Sequence, residues 1–301
     1  MQDRKSVWAF LDISDPLVAW EVYRGIIIAP DCYLIEEYPG ISFWQVNLFK
    51  KINSVMSINE IKLECIRQKY YPNAISRFRG LYCFESEYVA SETAKFWGNR
   101  NHFSSFCLSE LSIPNGSPSS KLDSNWISFY LGKESTSQNW MHSYWSGEVC
   151  PLAESPRWEL LVVARADVLN KELRKQAYEN LKKKNKLSVL PLMELSRIAA
   201  YIGFDFGHCC PYVFELSNNR FKIADIFDRR DANNPLFLEA LSKYFDDPKN
   251  KPFINWNDYN KLKFSDTICV PDTTERNFEF ELSSNYIKDH YFDFSKLVHI
   301  Q

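Results

Sequence analysis

The sequence predicts an α+β fold: a small split mixed β-core with flanking helices, followed by a C-terminal α+β extension. Three observations carry that expectation. Short runs of strand formers at 7–13, 81–84 and 158–163 are separated by stretches with helical periodicity, a succession that argues against a bundle or a sandwich. A chain of 301 residues, 45% of them hydrophobic, can bury a substantial core. A Lys- and Arg-dense stretch over 170–186 then separates two parts, so 1–186 reads as one domain and 187–301 as a region that packs on the core or contacts partners.

The elements follow in order. The strand at 7–13 ends at Ser14-Asp15-Pro16, a strong helix start because proline is tolerated in a first turn. A short helix is expected over 16–23, with Gly25 as its C-terminal glycine cap and Ile26 to Pro30 as an extended piece entering a turn. Two helices are expected within 43–67, from the apolar sets Val46, Phe49, Ile52, Val55 and Ile58, Ile61, Cys65. Ser57 and Glu60 have the spacing of a capping box. A short strand at 81–84, a helix over 86–97 and a strand over 103–113 lead to the surface loop PNGSPSS. A short helix over 140–147 precedes 158–163, which reads as a buried strand. The charged stretch 170–186 is a helix whose basic face is either solvated or in contact with phosphates. Beyond it come a helix at 190–201 and strands at 212–216 and 220–226, after which periodicity is weak.

Composition excludes several classes. With 36 basic against 38 acidic residues there is no global field to draw the chain onto nucleic acid or membranes, so any such binding needs a local patch. The longest apolar stretches, at 25–29 and 160–164, fall far short of the ~20 residues of a membrane span. The N-terminal apolar run is too short, and too soon followed by acids, for a signal peptide. Eight cysteines without a CxxC pair predict reduced thiols in a cytoplasmic protein. His208-Cys209-Cys210 lacks a second ligand pair at zinc-like spacing, so no metal site is expected. The chain has no GxxxxGK, GxGxxG, HExxH or GxSxG motif, which sets aside P-loop, Rossmann, zincin and ordinary serine hydrolase chemistry.

Two pieces could carry chemistry. Ser76-Arg77-Phe78-Arg79-Gly80-Leu81-Tyr82 offers two guanidinium groups and a phenol at a strand entry, with a glycine that permits close approach of a ligand. Alternation along an extended chain would send Arg77 and Arg79 to one side, where both could grip a pyrophosphate; the plainer reading is a surface strand with salt bridges. The second piece sets Glu159 at the head of an apolar strand beside Trp158, where a charge needs a partner or a task. A carboxylate there could hydrogen-bond a ribose hydroxyl and stabilise positive charge growing at an anomeric carbon; the plainer reading is an ion-paired edge glutamate. His142 in NWMHSYWSGE is a further general-base or pocket candidate, with core or surface packing as its alternative.

Taken together, the N-terminal strand, the helix ending in Gly25-Ile26, SRFRGLYCF, the helix EYVASETAKFWG with Ala90 and Ala94, and WELLVVARADV resemble the ADP-ribosyltransferase fold over about residues 7–170. The resemblance implies a catalytic domain in 1–186 that splits NAD. It implies Glu159 as the catalytic glutamate, Tyr82 and Tyr88 lining the nicotinamide pocket, and Ser76, Arg77 and Arg79 as cofactor-binding residues, with either arginine holding the NAD phosphates. Two departures matter. The strand 7–13 lacks the His, Asn or Arg such enzymes commonly use to orient NAD, leaving Asp12, Ser14 or the later arginines. Arg157 stands two before Glu159 where arginine-modifying members carry a glutamate. A nucleic-acid acceptor, as in DarT-like toxins of bacterial defence systems, fits that better, with a neutralising antitoxin protein as a partner. The rivals are a non-enzymatic protein or nucleic-acid recognition module using SRFRG and the basic stretch, and a glycosidase pairing Glu159 with Glu148 or Glu154.

Overall fold

The computed structural model describes residues 3–32, 40–52, 54–97, 103–134, 137–184, 190–217, 220–250 and 276–281. Strand β1 (Arg4–Phe10) buries Val7, Ala9 and Phe10 and leads to helix α1 (Pro16–Arg24). The start is capped as the sequence predicts: the Asp15 carboxylate accepts from the backbone N–H of Leu17 and Val18, and Pro16 opens the first turn. Gly25 closes it at φ 89°, a conformation that favours glycine, and its N–H donates to the Glu21 and Val22 carbonyls. Strand β2 (Ile26–Ile28) follows directly.

Next come α2 (Val46–Phe49) and α3 (Val55–Tyr70). The capping box expected at Ser57 and Glu60 does not form. Ser54 is the cap, accepting from the Ser57 N–H, and the buried Ser57 hydroxyl lies near the carbonyls of Leu48 and Lys51 and bonds to them. Glu60 is therefore released to face the interior, one turn into the helix. The chain continues through β3 (Leu81–Cys83), α4 (Glu87–Phe96), β4 (Leu108–Pro114), β5 (Ser119–Asp123), α5 (Asn125–Tyr130), α6 (Asn139–Trp145), β6 (Trp158–Val162) and β7 (Arg165–Val168). The run read as one strand from Trp158 onward is two: Val163 and Ala164 break it, with the Val163 N–H donating to Pro118 and the Ala164 carbonyl accepting from Ala29.

The strands form sheets ordered β1-β4-β7-β2 and β3-β6-β5, joined at one edge by a bridge between Trp8 and Phe84 whose two hydrogen bonds are 2.9 and 2.7 Å. The α+β class agrees with the sequence, but the sheets are not mixed: the pairings among the described residues are antiparallel. Three antiparallel steps separate β1 from β2, so α1 returns the chain without creating a parallel neighbour.

Helices α7 (Lys171–Lys184) and α8 (Leu190–Tyr201) precede a third antiparallel sheet of β8 (Cys209–Ser217), β9 (Arg220–Phe227) and β10 (Phe278–Glu281), with α9 (Pro235–Asp246) between the last two strands. The sequence reading missed both α9 and β10, although α9 carries clear signals: Asn234 caps it, Pro235 opens the first turn, and Phe237, Leu241 and Tyr244 are buried at i, i+4 and i+7. In α7, Leu173, Ala177 and Leu181 form a buried stripe at i, i+4, i+8. One hydrophobic cluster contains Val7, Trp20, Leu160, Leu173, Ile198, Phe237 and Leu241, so the residues beyond 187 share the core of those before it. No helix among the described residues is long and apolar enough to cross a membrane.

Candidate functional site

Three of the sequence-predicted residues, Glu159, Arg77 and Tyr82, meet beside β6. Glu159, second in β6, lies opposite Leu122 of β5 and is 3% exposed. Its Oε1 accepts from Arg77 Nη1 and from the Tyr144 hydroxyl, each at 2.7 Å. Arg77, 82 positions earlier, also donates from Nε to Glu60 Oε1 at 2.5 Å and from Nη1 to Tyr144 at 2.8 Å. The Tyr82 hydroxyl donates to the Arg77 carbonyl at 2.9 Å and accepts from Gln45 Nε2, while the Arg77 guanidinium lies 5.1 Å from the Tyr82 ring centre. Both donors converge on one oxygen of Glu159. Among the described residues no donor engages Oε2.

The charges explain the electrostatics. Arg77 faces two carboxylates, and burial would lower its pKa, but Glu60, the two tyrosines and Glu159 together hold it well above the ordinary guanidinium value. Glu60 goes the other way for a carboxylate: burial raises it, Arg77 pulls it back, and Glu159 and Glu64 leave it raised. Burial also lifts the Tyr144 and Tyr82 phenols far above their usual value, so both act as neutral donors.

Ser76 stands at the base of the turn rather than in a binding surface. Its hydroxyl donates to Glu64 and accepts the Phe78 N–H, and Glu64 is itself gripped by Arg67. Arg77 and Arg79 do not share a side. Residues 77–79 form a turn in which the Ser76 carbonyl accepts from Arg79 and Gly80, and the strand begins only at Leu81, so the expected alternation fails. Arg79 turns to Asp31, with which it forms a buried ion pair, and donates to the Pro30 carbonyl. Tyr88 is also misassigned: it lies in the first turn of α4, 73% exposed, because Ala90 and Ala94 are the residues that face inward. Glu148 and Glu154 are exposed while Glu159 is buried, and neither shares its hydrogen bonds to Arg77 and Tyr144. His142 packs against Tyr70 and Tyr71.

Glu60, Tyr144 and Gln45 are the members that the sequence reading missed. A signal existed for Glu60: with Glu64 and Arg67 it forms an i, i+4, i+7 set of charges on the buried face of α3. A second buried network lies elsewhere, where Glu21 accepts from Arg24 at 2.6 Å and from the Cys209 N–H at 2.8 Å, with His208 Nδ1 at 3.1 Å. His208 is thereby drawn to a carboxylate rather than to the neighbouring thiols, and no group of three or more His, Cys, Asp or Glu side chains suited to a metal converges among the described residues.

Residues 33–178 match the family model described as "Protein of unknown function (DUF2441)". The match spans just under half of the chain and contains every member of the Arg77 network, from Gln45 to Glu159. No curated protein and no solved structure matches the chain.

Proposed function

We propose that this chain is an NAD-consuming ADP-ribosyltransferase in which Glu159 acts at the nicotinamide ribose and a nucleic-acid base is the acceptor. The observation that supports it is the half-engaged carboxylate: Arg77 and Tyr144 hold Oε1, and Oε2 is left for a ribose hydroxyl. In the proposed reaction the bond between the nicotinamide nitrogen and the anomeric carbon breaks, and nicotinamide leaves with the bonding pair. Glu159 stabilises the oxocarbenium-like state. An acceptor nitrogen then bonds to the anomeric carbon and releases its proton to solvent. Arg77, bonded directly to the carboxylate, is the positioning residue, while Arg79, tied to Asp31, is not available to the same ligand.

Burial of the network favours a second reading, a structural ion-pair cluster in a non-enzymatic recognition module. The two separate in one assay. Purified protein incubated with adenylate-labelled NAD and a mixture of RNA, DNA and protein should release nicotinamide and label nucleic acid. Glu159→Gln should lower the rate by about a hundredfold or more while keeping its circular dichroism spectrum. Absence of nicotinamide release and of label with the unaltered protein would end the enzymatic reading.

A further inference from the structure

The basic stretch of α7 is sorted by the helix into two faces. Leu173, Ala177 and Leu181 face the core, and Lys171, Arg174, Lys175, Tyr178 and Lys182 follow one another at i, i+3, i+4, i+7 and i+11 along an adjoining stripe. Lys171, Arg174, Lys175 and Tyr178 of that stripe form one wall of an open groove of ≈ 370 Å³, closed on the other side by Tyr23, Glu194 and Arg197. Four cationic side chains line it against one carboxylate.

That carboxylate is already committed. Glu194 accepts from Arg197 at 2.6 and 2.8 Å and from the Tyr23 hydroxyl at 2.9 Å. Lys171, Arg174 and Lys175 form no salt bridge among the described residues, and burial together with the Arg197 cation pushes the Arg174 guanidinium below its ordinary value. Arg174 is nevertheless held in place: its guanidinium lies over Gly25, so close that a Cβ there would come within 2.5 Å of it. Gly25 therefore serves both the helix cap and the seat of this cation. Asp167 acts on Arg174 only through space and is itself paired with Arg4, so this preformed set of cations retains unmet affinity for an anion.

The aromatic content selects the class of anion. Tyr178 is half-buried, its ring 5.4 Å from that of Tyr23 and 5.9 Å from Lys182 Nζ, so a partly open aromatic ring stands among cations. Phosphates spaced along a strand, with bases able to stack, match that alternation of charge and ring. We infer that the groove between α1, α7 and α8 binds single-stranded nucleic acid, the phosphates on Lys171, Arg174 and Lys175 and a base on Tyr178. This deepens the nucleic-acid part of the proposed function by naming where an acceptor is held, and it is measurable without NAD or catalysis.

The test is fluorescence anisotropy with a labelled oligothymidylate of about 12 nucleotides, a length within the range such grooves occupy. Inorganic polyphosphate and phosphatidylserine vesicles serve as the other arms. Wild-type protein should bind the oligonucleotide with a logarithmic salt slope of about −2, as expected for three phosphates at ~0.7 each. The exposed pair Lys171→Ala/Lys175→Ala should weaken binding by about tenfold or more and cut the slope to about −0.7, Lys171→Arg/Lys175→Arg should retain it, and Tyr178→Leu should weaken it by about fivefold or more. Glu159→Gln should bind like wild type. If that holds while nicotinamide release fails, the groove stands and only the ADP-ribosyltransferase reading falls. The inference is overturned if the oligonucleotide does not bind, if the alanine pair leaves binding unchanged, or if polyphosphate or vesicles bind as tightly with Tyr178→Leu having no effect.

Discussion

The two buried charge networks differ in stoichiometry, and that difference sets the direction in which each titrates. Around Arg77 one guanidinium serves two carboxylates, Glu60 and Glu159. Around Glu21 one carboxylate faces Arg24, His208 and the Cys209 N–H. Burial disfavours both carboxyls equally in kind, yet Glu60 ends raised and Glu21 lowered, because only the second has more donors and cations than negative charge. A buried ion pair is therefore not one kind of object. Its effect on stability depends on whether the partner that remains after a mutation or a proton change still has a counter-charge.

The largest test of that contrast removes the cation from each. Arg77→Met would leave Glu60 and Glu159 buried together and should cost about 3–5 kcal/mol in urea unfolding. Arg24→Met leaves Glu21 with His208 and the Cys209 amide and should cost less, about 1–3 kcal/mol. A reversed order would break the comparison.

The next effect is in pH. Glu21, held low in the folded protein, contributes stability that is present above the ordinary carboxylate value of about 4.3 and is lost as pH falls through its depressed folded value. Glu60, held high, contributes stability fully present below that ordinary value and lost as pH rises through its raised folded value. Urea midpoints measured across pH should show Glu21→Gln flattening the acid limb and Glu60→Gln flattening the decline on the rising side. If both variants altered the same limb, the charge-count argument would be wrong.

The smallest effect sharpens the first network alone. Tyr144→Phe removes one of the two donors on Glu159 Oε1 but leaves Arg77 there, so it should cost about 1 kcal/mol, read by the same unfolding curves. A loss as large as that of Arg77→Met would mean that the tyrosine, and not the guanidinium, secures the carboxylate.

Legibility in the sequence follows the range of the interactions involved. The start and stop of α1 were readable because Asp15, Pro16 and Gly25 act on backbone groups two to four residues away. The core stripe of α7 could be read for the same reason, since Leu173, Ala177 and Leu181 are set by helical period alone. Arg77 and Arg79 misled because alternation holds only where the chain is extended, and Ser76 closes a turn there. Ser57 misled in a similar way: its spacing to Glu60 suits a cap, but the helix has already begun at Val55, so Ser57 is the residue whose N–H the cap Ser54 accepts. Tyr144 gave no signal above that of its aromatic neighbours in α6.

By itself, then, the sequence determined the α+β class, the start and stop of α1, the absence of a global field, and the need of Glu159 for a partner at the head of an apolar strand. Tertiary structure alone decided who that partner is. A charge buried by strand pairing takes whichever donors the fold brings within reach, and Arg77 and Tyr144 arrive from a turn and a helix whose approach depends on the packing of the whole core. It also decided that Lys171, Arg174 and Lys175 line a groove, because that depends on where α1 and α8 lie against α7 and not on the helix that carries them.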